Sequence, residues 1–237
     1  MLYFGFDPSL TCTGLCLVDG DGKYIDSDKI STTNTIFMPM RIRYIFDRVE
    51  EIVGGIKKDY PYIRVGMELP ITKMYKDDLL VMVKTCLWLS LVKYEIPFVC
   101  FTPTHIQNYM KESGPQFNYS SKSTGTCKLS SLFLSTEGVS DLCEDTKIKT
   151  KLSKKVLVKL QKDKSDAFMV ARFAHRFWMF YDLWNVDNHA EIAKVFSEKE
   201  RDMFGSSKPK KSKKKVKVPK GIIHNKGLEY FTFDHNE

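Results

Sequence analysis

Asp163 and Asp166 stand three residues apart in Lys162-Asp163-Lys164-Ser165-Asp166-Ala167, just ahead of a long apolar helical pattern. On a helix, residues i and i+3 share a face, so both carboxylates would project from the first turn toward one point. Two further acids close apparent buried strands: Asp7 after Leu2-Tyr3-Phe4-Gly5-Phe6, and Glu68 after Ile63-Arg64-Val65-Gly66-Met67. Four carboxylates converging on one point repel one another, and divalent cations held by hard oxygen ligands are the usual remedy. Two such cations make a centre able to hydrolyse a phosphodiester. Taken singly, each acid also has an ordinary structural role. Asp7 before Pro8 suits a turn, Glu68 suits a surface strand end, and Asp163 and Asp166 are favourable charges in a helix's first turn. Their joint occurrence on successive elements is what points to chemistry.

The elements that must position these acids follow a mixed α/β order. Residues 2–6 read as a buried strand, Asp7-Pro8-Ser9 as a turn, and residues 13–19 and 23–31 as two more strands joined by the hairpin signal Asp19-Gly20-Asp21-Gly22. Ile42, Ile45, Phe46, Val49, Ile52, Val53 and Ile56 have helical spacing. A fourth strand covers 62–68, and residues 77–94 predict a helix apolar on most sides, hence buried more than once or facing a second subunit. A fifth strand covers 97–101, and Thr102-Pro103-Thr104 is a helix start. Residues 152–161 predict a short basic helix, Ser165 to Trp184 a long aromatic-rich one, and 185–204 one more. Residues 113–150 show no sustained period and read as a loop or insertion; 205–220 read as a disordered basic segment. In the extension 221–237, Tyr230-Phe231-Thr232-Phe233 suggests a short strand that docks back.

Composition narrows the function classes. At 237 residues and 43% hydrophobic, the chain has the length for one domain of residues 1–184 with a real core, plus appended segments. No apolar run reaches the roughly 18 residues of a membrane span, and no basic leader precedes the first strand, so an intracellular protein away from membranes is expected. The six cysteines form no C-x-x-C pair, and Cys127 and Cys143 lack a second ligand pair, so reduced thiols are expected rather than zinc. Net charge is +8, but residues 208–220 hold eight lysines and no acid; without them the remaining 29 basic residues equal the 29 acidic ones. A second stripe, 146–162, carries seven lysines and no acid immediately before Asp163. It suits a phosphate backbone, or simply a solvated helix face. The lysine run 208–220 also has the form of a nuclear import signal, which would matter in a eukaryotic host; otherwise host cytoplasm or nucleoid is expected.

Gly5-Phe6-Asp7-Pro8-Ser9-Leu10-Thr11-Cys12-Thr13-Gly14-Leu15 resembles the first motif of RuvC-type Holliday junction resolvases. Met67-Glu68 resembles their second motif, and Asp163-x-x-Asp166-Ala167 their third, at the head of the last core helix. The resemblance covers roughly residues 1–180 and is closest to the divergent resolvases of phages and large DNA viruses. It implies a ribonuclease H-like α/β fold: a mixed five-stranded sheet, three antiparallel strands first, with helices on both faces. It implies a Mg²⁺-dependent endodeoxyribonuclease that cuts four-way junctions or other branched DNA, leaving a 5′-phosphate, and that works as a homodimer with residues 77–94 in the interface. Asp7, Glu68, Asp163 and Asp166 would then hold two Mg²⁺, with Mn²⁺ able to substitute, and the positive end of a helix starting near Ser165 would assist. Lys151, Lys154 and Lys155 would meet phosphates. Tyr75 would replace the junction-wedging aromatic, whose position falls on Ile71 here. Another ribonuclease H-like nuclease, acting on flaps, R-loops or replication intermediates, would share the same metal chemistry. Actin-like ATPases also open on an Asp-bearing hairpin, but need two such domains, more than this chain has room for.

Overall fold

The computed structural model describes residues 1–69, 78–113, 154–204, 222–225 and 228–232. Strands β1 (Leu2–Asp7), β2 (Cys12–Val18) and β3 (Tyr24–Ser31) form the expected antiparallel meander. Its β2–β3 turn is closed by Asp19, whose carboxylate accepts the backbone N–H of Asp21 at 2.9 Å and of Lys23 at 2.8 Å. Gly22 there takes φ +75°, a conformation glycine adopts without strain. Helix α1 (Met38–Asp59) returns the chain so that β4 (Ile63–Glu68) lies parallel to β1. Helix α2 (Asp78–Lys93) does the same for β5 (Phe98–Phe101), parallel to β4. The expected mixed five-stranded sheet is therefore present, in the order β3-β2-β1-β4-β5, and two more strands lengthen it. These are β6 (Ile222–Asn225) and β7 (Leu228–Phe231), with β7 antiparallel to β5. The chain after the lysine run thus rejoins the sheet, and Phe231 stacks on Phe98 with ring centroids 5.8 Å apart.

Strand alternation sorts the core into two layers. Phe4, Phe6, Leu15, Leu17, Val65 and Met67 pack with Ile45, Val49 and Val53 of α1 and Val83, Leu87 and Leu91 of α2. Tyr3, Cys16, Val18, Val99 and Phe101 point to the opposite face, which is covered by helix α4 (Lys154–Asn185). Helix α3 (Pro103–Ser113), starting at the expected Pro, joins that second layer through Ile106, Tyr109 and Met110.

Two helical expectations are corrected. Residues 154–185 form one continuous helix, not a short basic helix followed by a second starting near Ser165. Ser and Asp cost a helix interior only about 0.5 kcal/mol each, and no Gly or Pro interrupts this stretch, so the helix runs through them. Residues 185–204 form two short helices, α5 (His189–Val195) and α6 (Glu198–Phe204). Ser197 and Glu200 make a reciprocal capping box at the start of α6: Ser197 N–H donates to Glu200 Oε2 at 3.0 Å, and Glu200 N–H to Ser197 Oγ at 3.2 Å. Glu200 also accepts two bonds from Arg176, each 3.0 Å, which ties α6 to α4.

The aromatic run of α4 is core, as expected: Phe177, Trp178 and Phe180 are buried. His175 is buried too. Its Nε2–H faces the Gly20 carbonyl at 3.0 Å, and burial holds the ring's pKa below the usual imidazole value, with the Gly20 bond opposing and Arg176 and Arg172 reinforcing the shift. Among the described residues Cys12, Cys16, Cys86 and Cys100 are buried, and no helix is long and apolar enough to cross a membrane. Cys127 and Cys143 lie outside the described residues.

Helix α4 approaches the sheet along a seam of small residues. A Cβ added at Gly5 would lie 2.3 Å from the Ala167 carbonyl oxygen and 2.4 Å from the Ala171 nitrogen. At Gly14 it would lie 2.1 Å from the Asp163 carbonyl oxygen, and at Gly66 2.5 Å from the Ala174 Cβ. Real Cβ atoms do not approach backbone that closely, so any larger residue forces the helix off the sheet. We therefore expect Gly14→Ala to cost about 2–3 kcal/mol, the overpacking range, in urea denaturation. Gly55→Ala, within α1 and with nothing inside 4 Å of the new Cβ, should gain about 0.5–1 kcal/mol from helix propensity. Equal midpoints for the two variants would refute the seam.

Candidate active site

The seam determines where the acids go. Gly5 faces α4, and Asp7, two residues along β1, faces the same way. Gly66 faces α4, and so does Glu68 two residues along β4. The parallel register pairs Phe6 with Met67, which sets Asp7 and Glu68 side by side at the strand ends. Across the antiparallel ladder Asp7 is opposite Gly14, the residue on which the Asp163 backbone rests. Asp7, Glu68 and Asp163 therefore meet at one end of the sheet, on one face, and Asp166 follows one turn along α4. Glu68, Asp163 and Asp166 are buried, and Asp7 is partly exposed.

The acids have a built environment. Cys12, on β2, has its Sγ 3.6 Å from Ser31 Oγ; burial first, and then the neighbouring Asp163 carboxylate, push its pKa up to about 11, so it stays a thiol. Asp163 Oδ2 is buried and accepts no hydrogen bond among the described residues. A buried carboxylate oxygen left without a donor is costly. A hard cation satisfies such an oxygen, and four carboxylates are the donor set that Mg²⁺ or Mn²⁺ takes. Among the described residues, no three Asp, Glu, His or Cys side chains are arranged as they stand to hold a metal ion.

The loop after Asp7 is stiffened from two sides. Thr13 Oγ1 donates to the Ser9 carbonyl at 2.8 Å and accepts the Ser9 N–H at 3.1 Å. Arg41, 3% exposed, reaches over from α1. Its Nε donates to Thr32 Oγ1 at 3.0 Å and its Nη2 to the Leu10 carbonyl at 3.2 Å, while Thr32 Oγ1 also donates to that carbonyl. Arg41 is a buried bracing position that sequence reading missed. Its signal was there: it heads the i+4 row Arg41, Ile45, Val49, Val53, a charge on a buried stripe.

The helix N-terminus expected beside Asp163 is not there. Asp163 is nine residues into α4, so the first turn is about 13 Å away at 1.5 Å per residue, beyond the reach of a helix-end charge. Lys154 and Lys155 open that first turn, while Lys151 and Tyr75 lie outside the described residues. A cleft of about 710 Å³ lies between α3 and α6, lined by Thr102, His105, Asn108, Lys111 and Asp202. It opens at the end of β5, beside Glu68, but none of the four acids lines it.

No protein-family model matches the chain, and no curated protein matches it by sequence. The fold does match solved structures. RuvC of T. thermophilus in complex with a Holliday junction substrate superposes with a TM-score of 0.51 at 13% identity, covering 76% of this chain and 96% of that one. A Thermus thermophilus RuvC structure gives 0.53 at 14% identity over the same shares. The chain thus has a RuvC-like, ribonuclease H-like α/β fold.

Because Arg41 bonds both Thr32 and the Leu10 carbonyl from α1, Arg41→Met should destabilise the protein by about 2–3 kcal/mol through loss of two charge-assisted hydrogen bonds. Amide exchange at Leu10 and Thr11 should quicken in the same variant. Arg41→Lys should not restore either, since one ammonium does not reproduce the two-nitrogen span. Full rescue by Lys would count against the clamp.

Proposed function

We propose that this protein is a divalent-metal-dependent endonuclease that cuts branched DNA, four-way junctions first among its substrates. The observation that carries this is the register of β1 and β4 under α4, which gathers Asp7, Glu68 and Asp163 at one sheet end in a RuvC-like fold. Asp7, Glu68, Asp163 and Asp166 are the residues that would hold Mg²⁺ or Mn²⁺, two ions per site. When bound, such ions lower the pKa of an attacking water and neutralise charge on the phosphate and the leaving 3′-oxygen, giving a 5′-phosphate product. The chain's own residues prepare that event. The Cys12 thiol stays neutral beside Asp163, Thr13 and Arg41 hold the loop behind Asp7, and the α4–sheet seam sets the approach of the acids. Lys154 and Lys155, about 13 Å along α4 from Asp163, are the residues that would meet the DNA backbone beside the phosphate being cut. Lys151 and Tyr75 belong to the same DNA-binding reading on sequence grounds alone. So does kinship with phage and large-virus resolvases, supported by the motif wording and the length of 113–150.

Symmetrical cutting of a junction calls for two active sites, hence a homodimer. Helix α2 supplies an apolar outer face for it: Val81, Met82, Leu89 and Val92 are 43%, 50%, 58% and 45% exposed. Leu89→Lys should shift micromolar protein from dimer to monomer in sedimentation. A monomeric wild type, with or without junction DNA, would sink this assembly.

The functional reading is tested by Mg²⁺-dependent cleavage of four-way, flapped and linear DNA. Cleavage of the four-way junction should exceed that of the linear duplex. Asp7→Asn should bind the junction as the wild type does yet cut it roughly a hundredfold more slowly or worse. Unimpaired cutting by that variant would overturn the site.

A further inference from the structure

Phe37 is the residue the fold does least to explain. It is the N-cap of α1 and is 75% exposed. A cap position favours Ser, Thr, Asp or Asn, whose oxygen accepts a first-turn N–H; Phe makes no such bond here. Its neighbours Ile36 and Met40 are 46% and 54% exposed, so the ring is not one stray apolar group in a polar surface. Neither capping nor core packing accounts for this trio.

Its position is well defined. The Phe37 carbonyl accepts the N–H groups of Met40 at 3.0 Å and Arg41 at 3.1 Å, which locks the turn to α1. Arg41 then bonds the Leu10 carbonyl, three residues beyond Asp7, and the Thr32 N–H bonds the Thr11 carbonyl at 3.0 Å. Ser31, one residue before Thr32, pairs with Cys12, the residue that touches Asp163. The exposed trio is thus braced against the loop that carries Asp7, at the acid end of the sheet. The first turn of α1 contains no acidic residue that would repel a nucleic acid.

We infer that Ile36, Phe37 and Met40 form a stacking platform for an unstacked base of the DNA, at the sheet end where the acids stand but on the α1 side of the sheet. This rests on the nuclease reading above. Bases at a branch point are the ones most easily unstacked, every base offers a π-face, and an exposed aromatic ring accepts it without reading sequence. Rigid bracing keeps the ring in place before DNA arrives, so little ordering is lost on binding.

The test uses full-length protein, Ca²⁺ in place of Mg²⁺ so that binding is read without cutting, and a four-way junction with 2-aminopurine at the branch point. Wild type should bind and change the fluorescence. Phe37→Ala should bind about 5- to 100-fold more weakly and lose that change, and Phe37→Trp should restore both. The thermal midpoint should hold in Phe37→Ala and rise in Phe37→Ser, which can cap. A lowered midpoint in Phe37→Ala would mean a structural ring and overturn the assignment. So would unchanged binding and fluorescence, or a dimer-to-monomer shift as the variant's main effect, which would give this face to a second copy. If wild type binds no branched DNA, the nuclease reading falls along with the platform. If it binds and Phe37→Ala matches it, the platform alone falls.

Discussion

Close contact between α4 and the sheet is the constraint on which the rest depends. Gly5, Gly14 and Gly66 place no side chain between the strands and Ala167, Ala171, Ala174 and the Asp163 backbone. The helix therefore lies against the strands instead of riding on a layer of side chains. That closeness puts Asp163 on the same level as Asp7 and Glu68, which leave the strands at the same end and on the same face. A helix held several ångströms further out would carry its two acids away from their partners, with no local change in sequence around Asp163.

The acids themselves oppose folding. Glu68 and Asp166 are buried, and Asp163 has a carboxylate oxygen without a hydrogen bond. A mid-helix position removes the help a helix N-terminus would have given. Compensation comes from elsewhere: the Cys12 thiol, the braced loop behind Asp7, and two apolar layers rich in aromatic contacts. Such a site is tolerated because the seam and both cores over-determine its geometry. The same logic explains the rigid loop. Arg41 is a buried charge that bonds Leu10, in the segment that carries the first acid, and Thr32, which itself bonds Leu10.

Much of the fold could be read in the residues, and the failures have physical causes. The meander was legible because Asp19-Gly20-Asp21-Gly22 dictates a turn and the flanking runs alternate. Helix α1 was legible from its apolar row, but Arg41 in the same row was not singled out, since its partners lie 9 and 31 residues away. The break expected before Ser165 does not occur, because no Gly or Pro interrupts 154–185 and Ser and Asp cost a helix interior little. Docking of the C-terminal strand was anticipated; that it pairs with β5 and brings a second strand with it depends on which sheet edge was left open.

The sequence by itself determined the element types, the two faces of each strand, and the four acids with their order along the chain, because these follow from local periodicity and residue chemistry. Only the tertiary structure decided that Asp7 and Glu68 stand side by side, that Gly14 is the floor under Asp163, and that Arg41 and Phe37 belong to the same end. Those relations are set by strand register and helix–sheet distance, which depend on contacts between residues tens to more than a hundred positions apart.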